Sequence, residues 1–438
     1  MSPLETGLAS FPVLLGLILL RVPIGLAMFL VGFGGLFLVT GHASLPLARM
    51  KSETYTTFSS YSLSIVPMFL LMGHFATLGG MSRALFGAAD AFLGHRRGGV
   101  AMAAIGACAG FGAICGSSLA TAATMGRVAL PELRRHGYRG GFAAATLAAG
   151  GTLGVLIPPS VVLVIYAILT EQNIARLFLA ALVPGLLAVV GYFLAIRVHA
   201  HRHAGTMERR APMPWRARLG ALLRVWPVLA VFATVVGGIY LGWFTPTEGA
   251  AIGAAGTGLI ALANGGLSRA GLIESILATA RTSAMIFFII LGAAFYNGFL
   301  ALTQVPRALF DLVAGQGLSP WTVLALVLAF YLVLGCVMDS LSMILLTIPI
   351  FFPVISQLDF GLSAEHQAIW FGILVLIVVE VGLITPPVGL NLFVIHAMDR
   401  TTPIMETYRA VLYFVAADIA RVVLLASFPK ITLFLLPG

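Results

Sequence analysis

Two interrupted apolar stretches in the first half of the chain decide the fold: CGSSLATAATMGRVALP at residues 115–131 and GGTLGVLIPPS at residues 150–160. The second half carries a counterpart of each, MDSLSMILLTIPIFFP at 338–353 and GLITPPVGLNLF at 382–393. Aligning the first pair places Ser118 on Ser340 and Pro131 on Pro353, and the later Pro-Pro pairs also correspond. Apolar segments broken by Gly, Ser, Thr and Pro at matching places in two halves indicate the binding site of a membrane transporter.

The composition is that of a multi-pass α-helical membrane protein. Of 438 residues, 60% are hydrophobic and 9% are charged, and the mean hydropathy is +1.03. A soluble domain carries roughly a quarter charged residues. Apolar runs of about twenty residues, each long enough to cross a lipid bilayer, recur along the chain.

The positive charge of the chain follows its membrane topology. The formal net charge is +9, and the basic residues lie between apolar runs, where the positive-inside rule uses them to orient the spans. Nucleic-acid binding is therefore not expected. Residues 199–223 form a strongly basic stretch that we interpret as a cytoplasmic linker between two halves, with its histidines in a solvated loop rather than a metal site.

Two segments are predicted to form re-entrant helical hairpins. Basic clusters flank residues 98–135 on both sides; if both are cytoplasmic, the segment enters the membrane and returns, with its tip at 116–118. The flanks of the segment at about 320–357 contain no Arg or Lys, so the same rule predicts a hairpin that opens outward. Irregular backbone at such depth is tolerated only where protein or a water-filled cavity covers it.

The opposite orientations of these hairpins predict inverted-topology repeats. The first repeat covers residues 1–198, with its hairpin at about 98–135 and a broken helix at about 139–170. The second covers residues 224–438, with its hairpin at about 320–357 and a broken helix at about 366–398. The expected fold class is an all-α polytopic membrane protein built from inverted repeats.

Helices that break inside a membrane create binding chemistry at the cut ends. Each end leaves about four NH groups or four carbonyls without intrahelical partners, and carbonyl ends attract cations. Pro-Pro pairs remove donors, and Gly lets the backbone approach an ion closely. Carbonyl and hydroxyl oxygens with few carboxylates suit Na⁺ better than Ca²⁺ or Mg²⁺.

Each half of the chain then offers one candidate cation site. Its members come from a hairpin tip and the facing helix break: Ser117, Ser118, Thr121, Gly151, Thr152 and Gly154 in the first half, and Ser340, Ser342, Gly382, Thr385 and Gly389 in the second. Asn391 could hydrogen-bond an ion or a substrate. One such serine alone is more often a helix-packing residue, but the repetition of the whole pattern favours a site.

Ionisable residues inside apolar segments are functional candidates by default. Asp339 lies at the second hairpin tip, where a functional and a structural role are both open. For Glu380 we expect a structural pairing at a domain boundary. Asp418 and Arg421 lie on one helix face, so we expect them to neutralise each other.

Five motifs together resemble a known family, the DctM-like large membrane subunit of tripartite ATP-independent periplasmic (TRAP) transporters. They are GSSLATAATMGRVALPEL (116–133), TLAAGGTLGVLIPPS (146–160), LTEQNIARLFLAALVPG (169–185), MDSLSMILLTIPIFFPV (338–354) and ITPPVGLNLFVI (384–395). The resemblance covers essentially the whole chain. It implies the ion-transporter superfamily fold, in which a transport domain carrying both hairpins moves like an elevator against a scaffold domain.

The resemblance also implies partners and an energy source. Family members take up substrates, usually organic acids, across the bacterial inner membrane, driven by a Na⁺ gradient without ATP. A soluble periplasmic substrate-binding protein delivers the substrate, and a small four-helix membrane subunit completes the complex. Nothing in this chain resembles that small subunit, so we expect it as a separate partner.

The family's Na⁺ sites carry over onto two sets of residues at the hairpin tips and facing breaks. They are Gly116, Ser117, Ser118, Gly151, Thr152 and Pro158 for the first site, and Gly335, Asp339, Gly382, Thr385 and Val388 for the second. The candidates for substrate contact are Thr121, Ser340, Ser342 and Asn391.

Three other interpretations are weighed against this one. The first is a self-sufficient Na⁺-coupled carrier of the dicarboxylate or citrate type without a binding protein; the first hairpin lacks the Ser-Asn-Thr signature of the dicarboxylate branch, which argues against it. The second is an intramembrane enzyme, but the membrane segments contain no HExxH motif and no clustered Asp, so no catalytic residue is expected. The third is a channel, for which duplicated hairpins are less suited than for alternating access.

Overall fold

The structure is a computed structural model that describes residues 2–138, 141–203 and 211–436, and every regular element in these ranges is helical. Residues 139–140, predicted as the start of the first broken helix, lie outside the described residues. So does the middle of the predicted basic linker, residues 204–210.

The helices are numbered in chain order. They are α1 (Pro3–Leu19), α2 (Ile24–Thr40), α3 (Ser44–Phe58), α4 (Ile65–Leu78), α5 (Met81–Leu93), α6 (Gly99–Cys115), α7 (Ser118–Arg135), α8 (Gly141–Leu156), α9 (Val161–Leu169), α10 (Ile174–Arg202), α11 (Trp215–Phe232), α12 (Gly238–Tyr240), α13 (Pro246–Ala263), α14 (Arg269–Leu302), α15 (Val305–Gly315), α16 (Pro320–Gly335), α17 (Ser340–Ile355), α18 (Ala364–Gly382), α19 (Leu390–Met398), α20 (Ile404–Ser427) and α21 (Pro429–Leu433).

Several of these helices can cross a membrane. Within the described ranges, six have the length and hydropathy of a span, and the bent pair α8–α9 would make a seventh. The remaining apolar helices are shorter, among them both arms of the second predicted hairpin. The chain is therefore a multi-pass membrane protein, as its composition predicts.

The two predicted hairpin tips are breaks between helices. Between α6 and α7 the chain turns at Gly116, which has φ +64°, a backbone conformation that glycine adopts without a steric cost. Ser117 then caps α7 by accepting a hydrogen bond from the backbone N–H of Ala120. Asp339 caps α17 in the same way, accepting from the backbone N–H of Ser342 at 3.1 Å. The re-entry of both hairpins into the membrane stays a prediction.

The two predicted broken helices are interrupted at their Pro-Pro pairs. Helices α8 and α9 are separated by residues 157–160 and bent by 44°. Ser160 caps α9 through the backbone N–H of Leu163. Helices α18 and α19 are separated by residues 383–389, and Gly389 has φ +67°. Both Pro-Pro peptide bonds are cis.

The interior contains two hydrophobic clusters. The smaller one lies between α1, α2, α14, α15 and α17, around Phe295, Tyr296 and Phe299. Small residues let these helices approach closely, since a Cβ atom placed on Gly25 would lie 2.9 Å from the Cα of Ile289. The larger cluster holds both hairpins and both broken helices, with α8 buried along its whole length. This packing brings the two halves of the candidate site together.

Candidate ion and substrate site

The first hairpin tip lies directly against the break between α8 and α9. A Cβ atom placed on Gly116 would be 3.1 Å from the carbonyl oxygen of Pro159, and one placed on Gly151 would be 3.1 Å from that of Ser118. Gly151 and Pro158 are buried, as are Gly116 and Ser118. The structure thus brings the tip residues of the predicted first site together with the facing break.

Thr152 is also predicted for this site, but its hydroxyl is hydrogen-bonded away from the hairpin tip. Its Oγ1 donates to the carbonyl oxygen of Ala149 at 2.7 Å and lies 2.8 Å from the hydroxyl of Tyr192 on α10. The contribution of Thr152 to the tip is therefore through its backbone and its packing, not through a free hydroxyl.

The second hairpin tip lies against the break between α18 and α19. A Cβ atom on Gly335 would be 3.0 Å from the Cα of Gly382. The backbone N–H of Gly389 donates to the carbonyl oxygen of Cys336 at 3.1 Å. Thr385 donates its hydroxyl to the carbonyl oxygen of Val381 at 2.6 Å. The predicted second set is thus also assembled from a tip and its facing break.

Two further groups of the second site have identified hydrogen-bond partners. The hydroxyl of Tyr408 donates to the carbonyl oxygens of Pro387, at 2.6 Å, and Val388, at 3.2 Å. Val388 is a predicted ion ligand whose carbonyl therefore already has one donor. The carboxylate of Asp339 serves as the helix cap described above, which gives it a structural role. Nothing in the sequence pointed to Tyr408.

Glu380 connects the two tips. Its Oε1 accepts hydrogen bonds from Ser118 Oγ at 3.0 Å and from Ser340 Oγ at 2.6 Å. We expected a structural pairing at a domain boundary, whereas the structure places this carboxylate between the two hairpins. The reason is the helical period of α18, which turns Glu380 toward the tips while Gly382, two residues later, touches α16.

The substrate candidates differ in their surroundings. Asn391 is fully buried and donates from Nδ2 to the carbonyl oxygen of Ala148 at 3.2 Å, so α19 reaches across to α8. Its Oδ1 has no hydrogen-bond partner in the described part of the chain. Thr121 packs against Gly154, and Ser342 is buried in the first turn of α17. Ser340 is engaged by Glu380.

A buried network of charged and polar side chains contacts the first site through Thr152. Asp418 and Arg421 form the expected ion pair, with 2.8 Å between Nη2 and Oδ1. Tyr192 donates its hydroxyl to Asp418 Oδ2 at 2.7 Å, and the same hydroxyl contacts Thr152. Arg421 also donates to the carbonyl oxygen of Pro184. Tyr192 carried no signal in the sequence, because a tyrosine in an apolar run has the appearance of ordinary packing.

The groups at this centre that could face a cation are mostly neutral. They are backbone carbonyls, hydroxyls and the two carboxylates of Glu380 and Asp339, whereas a chelated divalent ion calls for more carboxylates. A multi-pass helical protein in which two broken helices face two helical hairpins across a buried polar centre belongs to the class of membrane transporters.

Comparisons with known proteins agree with this class. Residues 11–431 match the family described as "Tripartite ATP-independent periplasmic transporter, DctM component". The chain is 37% identical over 385 residues to the C4-dicarboxylate TRAP transporter large permease protein DctM of Pseudomonas aeruginosa, covering 87% of this chain and 88% of that protein. It is 30% identical to the sialic acid TRAP transporter large permease protein SiaM of Vibrio cholerae, covering 96% of each. The chain therefore belongs to the DctM family of TRAP transporter large permeases, whose members are transporter components and not enzymes.

A solved structure has a similar fold. The YdaH transporter of Alcanivorax borkumensis superposes with a TM-score of 0.66, covering 88% of this chain and 89% of that one. The sequence identity is 14%, so this likeness concerns the fold alone.

Proposed function

We propose that this chain is the transmembrane large subunit of a Na⁺-coupled secondary transporter that takes up an organic acid across the bacterial inner membrane. The observation that carries the proposal is the duplicated centre, in which each hairpin tip faces a helix break and the two tips meet at one buried carboxylate. Alternating access needs a site of this kind, held near the middle of the membrane between two related halves.

The relatives support an acidic substrate. Three relatives are named for organic acids, namely C4-dicarboxylate, isethionate and sialic acid. Asn391 and the hairpin hydroxyls offer hydrogen bonds to such a substrate, and the cation beside them would offset its charge. The substrate of this chain is proposed at the level of this class.

The relatives also support two protein partners. The family description names a periplasmic tripartite system, so we propose delivery by a periplasmic substrate-binding protein. The isethionate permease protein DctMQ of Oleidesulfovibrio alaskensis matches 97% of this chain, but the chain spans only 66% of that protein. We propose that a separate small membrane subunit supplies the corresponding part here.

We propose an elevator mechanism for this transport on the ground of family membership. The hydrophobic clusters do not themselves divide into a moving and a fixed body, since the smaller one includes Leu346 and Ile350 of α17 and the larger one includes Ile289 of α14. We propose that the hairpins and broken helices move across the membrane relative to α1, α2 and α14 once Na⁺ and substrate are bound. At −100 mV each net positive charge carried inward gains about 2.3 kcal/mol, so two or more Na⁺ could concentrate an acid strongly.

The test is uptake into proteoliposomes that contain this chain and its small subunit, with the loaded binding protein outside. We expect uptake to require both the binding protein and an inward Na⁺ gradient. Ser118→Ala and Thr385→Ala should each raise the Na⁺ concentration for half-maximal uptake. Thr257→Ala is the matched control, because this buried threonine donates to its own helix in α13, away from the site.

Other outcomes would change the assignment. Uptake that needs Na⁺ but is indifferent to the binding protein would indicate a self-sufficient carrier. Uptake that is indifferent to Na⁺ would leave the family and the fold in place and remove both proposed ion sites.

A further inference from the structure

One oxygen atom of Glu380 joins the two hairpins. Ser118 and Ser340, which donate to it, are the first residues of α7 and α17, directly after the two tips. All three side chains are buried, with exposed fractions of 4%, 5% and 1% for Ser118, Ser340 and Glu380. The two hairpins are more than two hundred residues apart in the chain, so this carboxylate is a direct link between distant segments.

Sharing one acceptor makes the positions of the two tips interdependent. Such hydrogen bonds weaken once the two oxygens separate beyond about 3.0 Å, so a displacement of either tip by about 1 Å breaks its bond to Glu380. In this buried position, a donor or acceptor left without a partner bears the full cost of its desolvation. An arrangement with only one tip in place is therefore disfavoured relative to both tips in place.

The same bonds orient the serine oxygens. A hydroxyl has one proton and two lone pairs, and donating the proton to Glu380 leaves only lone pairs for any further partner. Both serines thus present acceptors, which is the polarity that a cation requires. The other carboxylate oxygen of Glu380, Oε2, is buried and has no hydrogen-bond partner in the described residues.

We propose that Glu380 is the positioning residue that couples the two hairpin tips, so that ordering of one tip by Na⁺ favours ordering of the other. The identity of the ion rests on the proposed function. The link between the tips is a property of the chain itself and can be measured without Na⁺.

The first experiment is a double-mutant cycle on the purified chain in lipid nanodiscs with choline chloride in place of Na⁺. The thermal midpoints of Ser118→Ala, Ser340→Ala and the double variant are compared with that of the unaltered chain. We expect the shift of the double variant to differ from the sum of the single shifts by at least about 2 °C. Additive shifts would overturn the coupling.

A matched cycle controls for effects along α17. Thr347 lies on the same helix, but its hydroxyl lies 2.7 Å from the carbonyl oxygen of Met343 and 2.7 Å from the hydroxyl of Tyr331, and it does not contact Glu380. Ser118→Ala and Thr347→Val should therefore give additive shifts. Equal non-additivity in both cycles would show that the effect does not pass through Glu380 and would overturn the proposal.

The second experiment measures Na⁺-dependent stabilisation of the same samples. The unaltered chain should show a sigmoidal Na⁺ dependence, and Glu380→Met, which keeps the size but removes the acceptor, should lose the sigmoidal form. The half-saturating Na⁺ concentration should rise about tenfold, the factor that corresponds to about 1.4 kcal/mol. If Glu380→Met folds and keeps the sigmoidal curve, Glu380 does not couple the ion sites.

The two experiments separate the inference from the proposed function. A non-additive serine cycle with no stabilisation by Na⁺ would remove the Na⁺ coupling and leave the link between the tips. Stabilisation by Na⁺ with an additive serine cycle would leave the proposed function and remove the link. If Glu380→Met does not fold, the double-mutant cycle on the serines still tests the link between the tips, because its variants retain Glu380.

Discussion

The two hairpin tips share one backbone design but differ in burial. At the first tip Gly116 and Ser118 are buried, and so is the Pro-Pro pair that faces them. At the second tip Val337 is 62% exposed, and Pro387 of the facing pair is exposed as well. Equivalent motifs therefore form one tip that is enclosed by packing and one that is open at its side. The second is the better candidate for the tip that moves when an ion or substrate enters.

The residues that support the two tips differ as well. Thr152 and Glu380 each lie six residues before a Pro-Pro pair and are thus equivalent positions of the two broken helices. Thr152 hydrogen-bonds Tyr192 and, through it, the buried Asp418, whereas Glu380 binds both hairpin serines. A neighbouring helix therefore holds each break, through Tyr192 and Tyr408, but only the second broken helix also carries a side chain that binds both tips.

Substitution of the glycines at the closest helix contacts should have the largest effects on stability and uptake. A Cβ atom on Gly154 would lie 2.6 Å from the carbonyl oxygen of Ser117, and one on Gly382 would lie 2.6 Å from the carbonyl carbon of Gly335. Gly154→Ala and Gly382→Ala should each cost about 1–3 kcal/mol of unfolding free energy, because backbone must move apart. Both should also abolish most uptake in proteoliposomes. Gly34→Ala, with open space around its Cβ, is the control; equal loss in all three would contradict the close-packing argument.

The two supporting tyrosines test the difference in burial. Tyr192→Phe leaves Asp418 and Thr152 short of a partner in a fully buried place, so we expect a loss of about 1–3 kcal/mol. Tyr408→Phe uncovers two carbonyls at a partly exposed break, for which about 0.5–1.5 kcal/mol is expected. In Na⁺ titrations Tyr408→Phe should have the larger effect, because Tyr408 hydrogen-bonds the backbone carbonyl of Val388, whereas Tyr192 contacts the Thr152 hydroxyl, which already donates to its own helix. Thermal unfolding measures the stability losses, and Na⁺-dependent uptake measures the effects on ion binding. A larger stability loss for Tyr408→Phe than for Tyr192→Phe would contradict the prediction that the more buried tyrosine contributes more stability.

The two helix caps separate structure from ion binding at the tips. Ser117→Ala and Asp339→Ala should each cost about 1 kcal/mol, since each removes a cap. Asp339→Asn retains the capping oxygen and should restore stability. Restored stability together with weakened Na⁺ dependence of uptake would assign the carboxylate a second role at the ion. If Asp339→Asn restores both the stability and the Na⁺ dependence of uptake, Asp339 acts only as a helix cap.

An ion pair between the ends of α7 and α19 provides the smallest expected effect. Arg134, at the end of α7, pairs with Asp399 after α19, and thus joins the first hairpin to the second broken helix. Burial acts to raise the pKa of Asp399, but hydrogen bonds from Thr401, Arg134 and Thr402 outweigh it and hold the pKa below its usual range. Because Arg134 is 42% exposed, Arg134→Gln should cost less than about 1 kcal/mol.

The pH dependence of this effect has a definite sign. A carboxyl whose folded pKa is depressed contributes stability above its unfolded value of about 3.9, and that contribution is lost as the pH falls through the folded pKa. The stability difference between Arg134→Gln and the unaltered chain should therefore be constant from about pH 5 to 8 and shrink only at lower pH. The highly exposed Arg135 is the control, and Arg135→Gln should have no measurable effect. A difference that changes near pH 7 would point to another group.

Much of the architecture could be predicted from local signals. Pro-Pro pairs, and Gly with positive φ, stop a helix, so breaks near 116–118, 157–160 and 383–389 were recognisable. A single Pro or Gly does not suffice, since Pro131 lies inside α7 and Gly150 inside α8. The pairing of Asp418 with Arg421 followed from their separation on one helix. The partners of Glu380, Thr152 and Val388 could not be found in this way, because each lies on a different helix whose packing no local pattern specifies.

The sequence by itself determined the membrane class, the positions of the helix breaks and the correspondence of the two halves, since hydropathy and backbone chemistry act within a few residues. Only the tertiary structure decided that Ser118 and Ser340 converge on one oxygen of Glu380, and that Tyr192 and Tyr408 support different breaks. The physical reason is that a hydrogen bond depends on distances of about 3 Å, and packing of whole helices sets those distances. Two halves with matching motifs consequently present unequal sites.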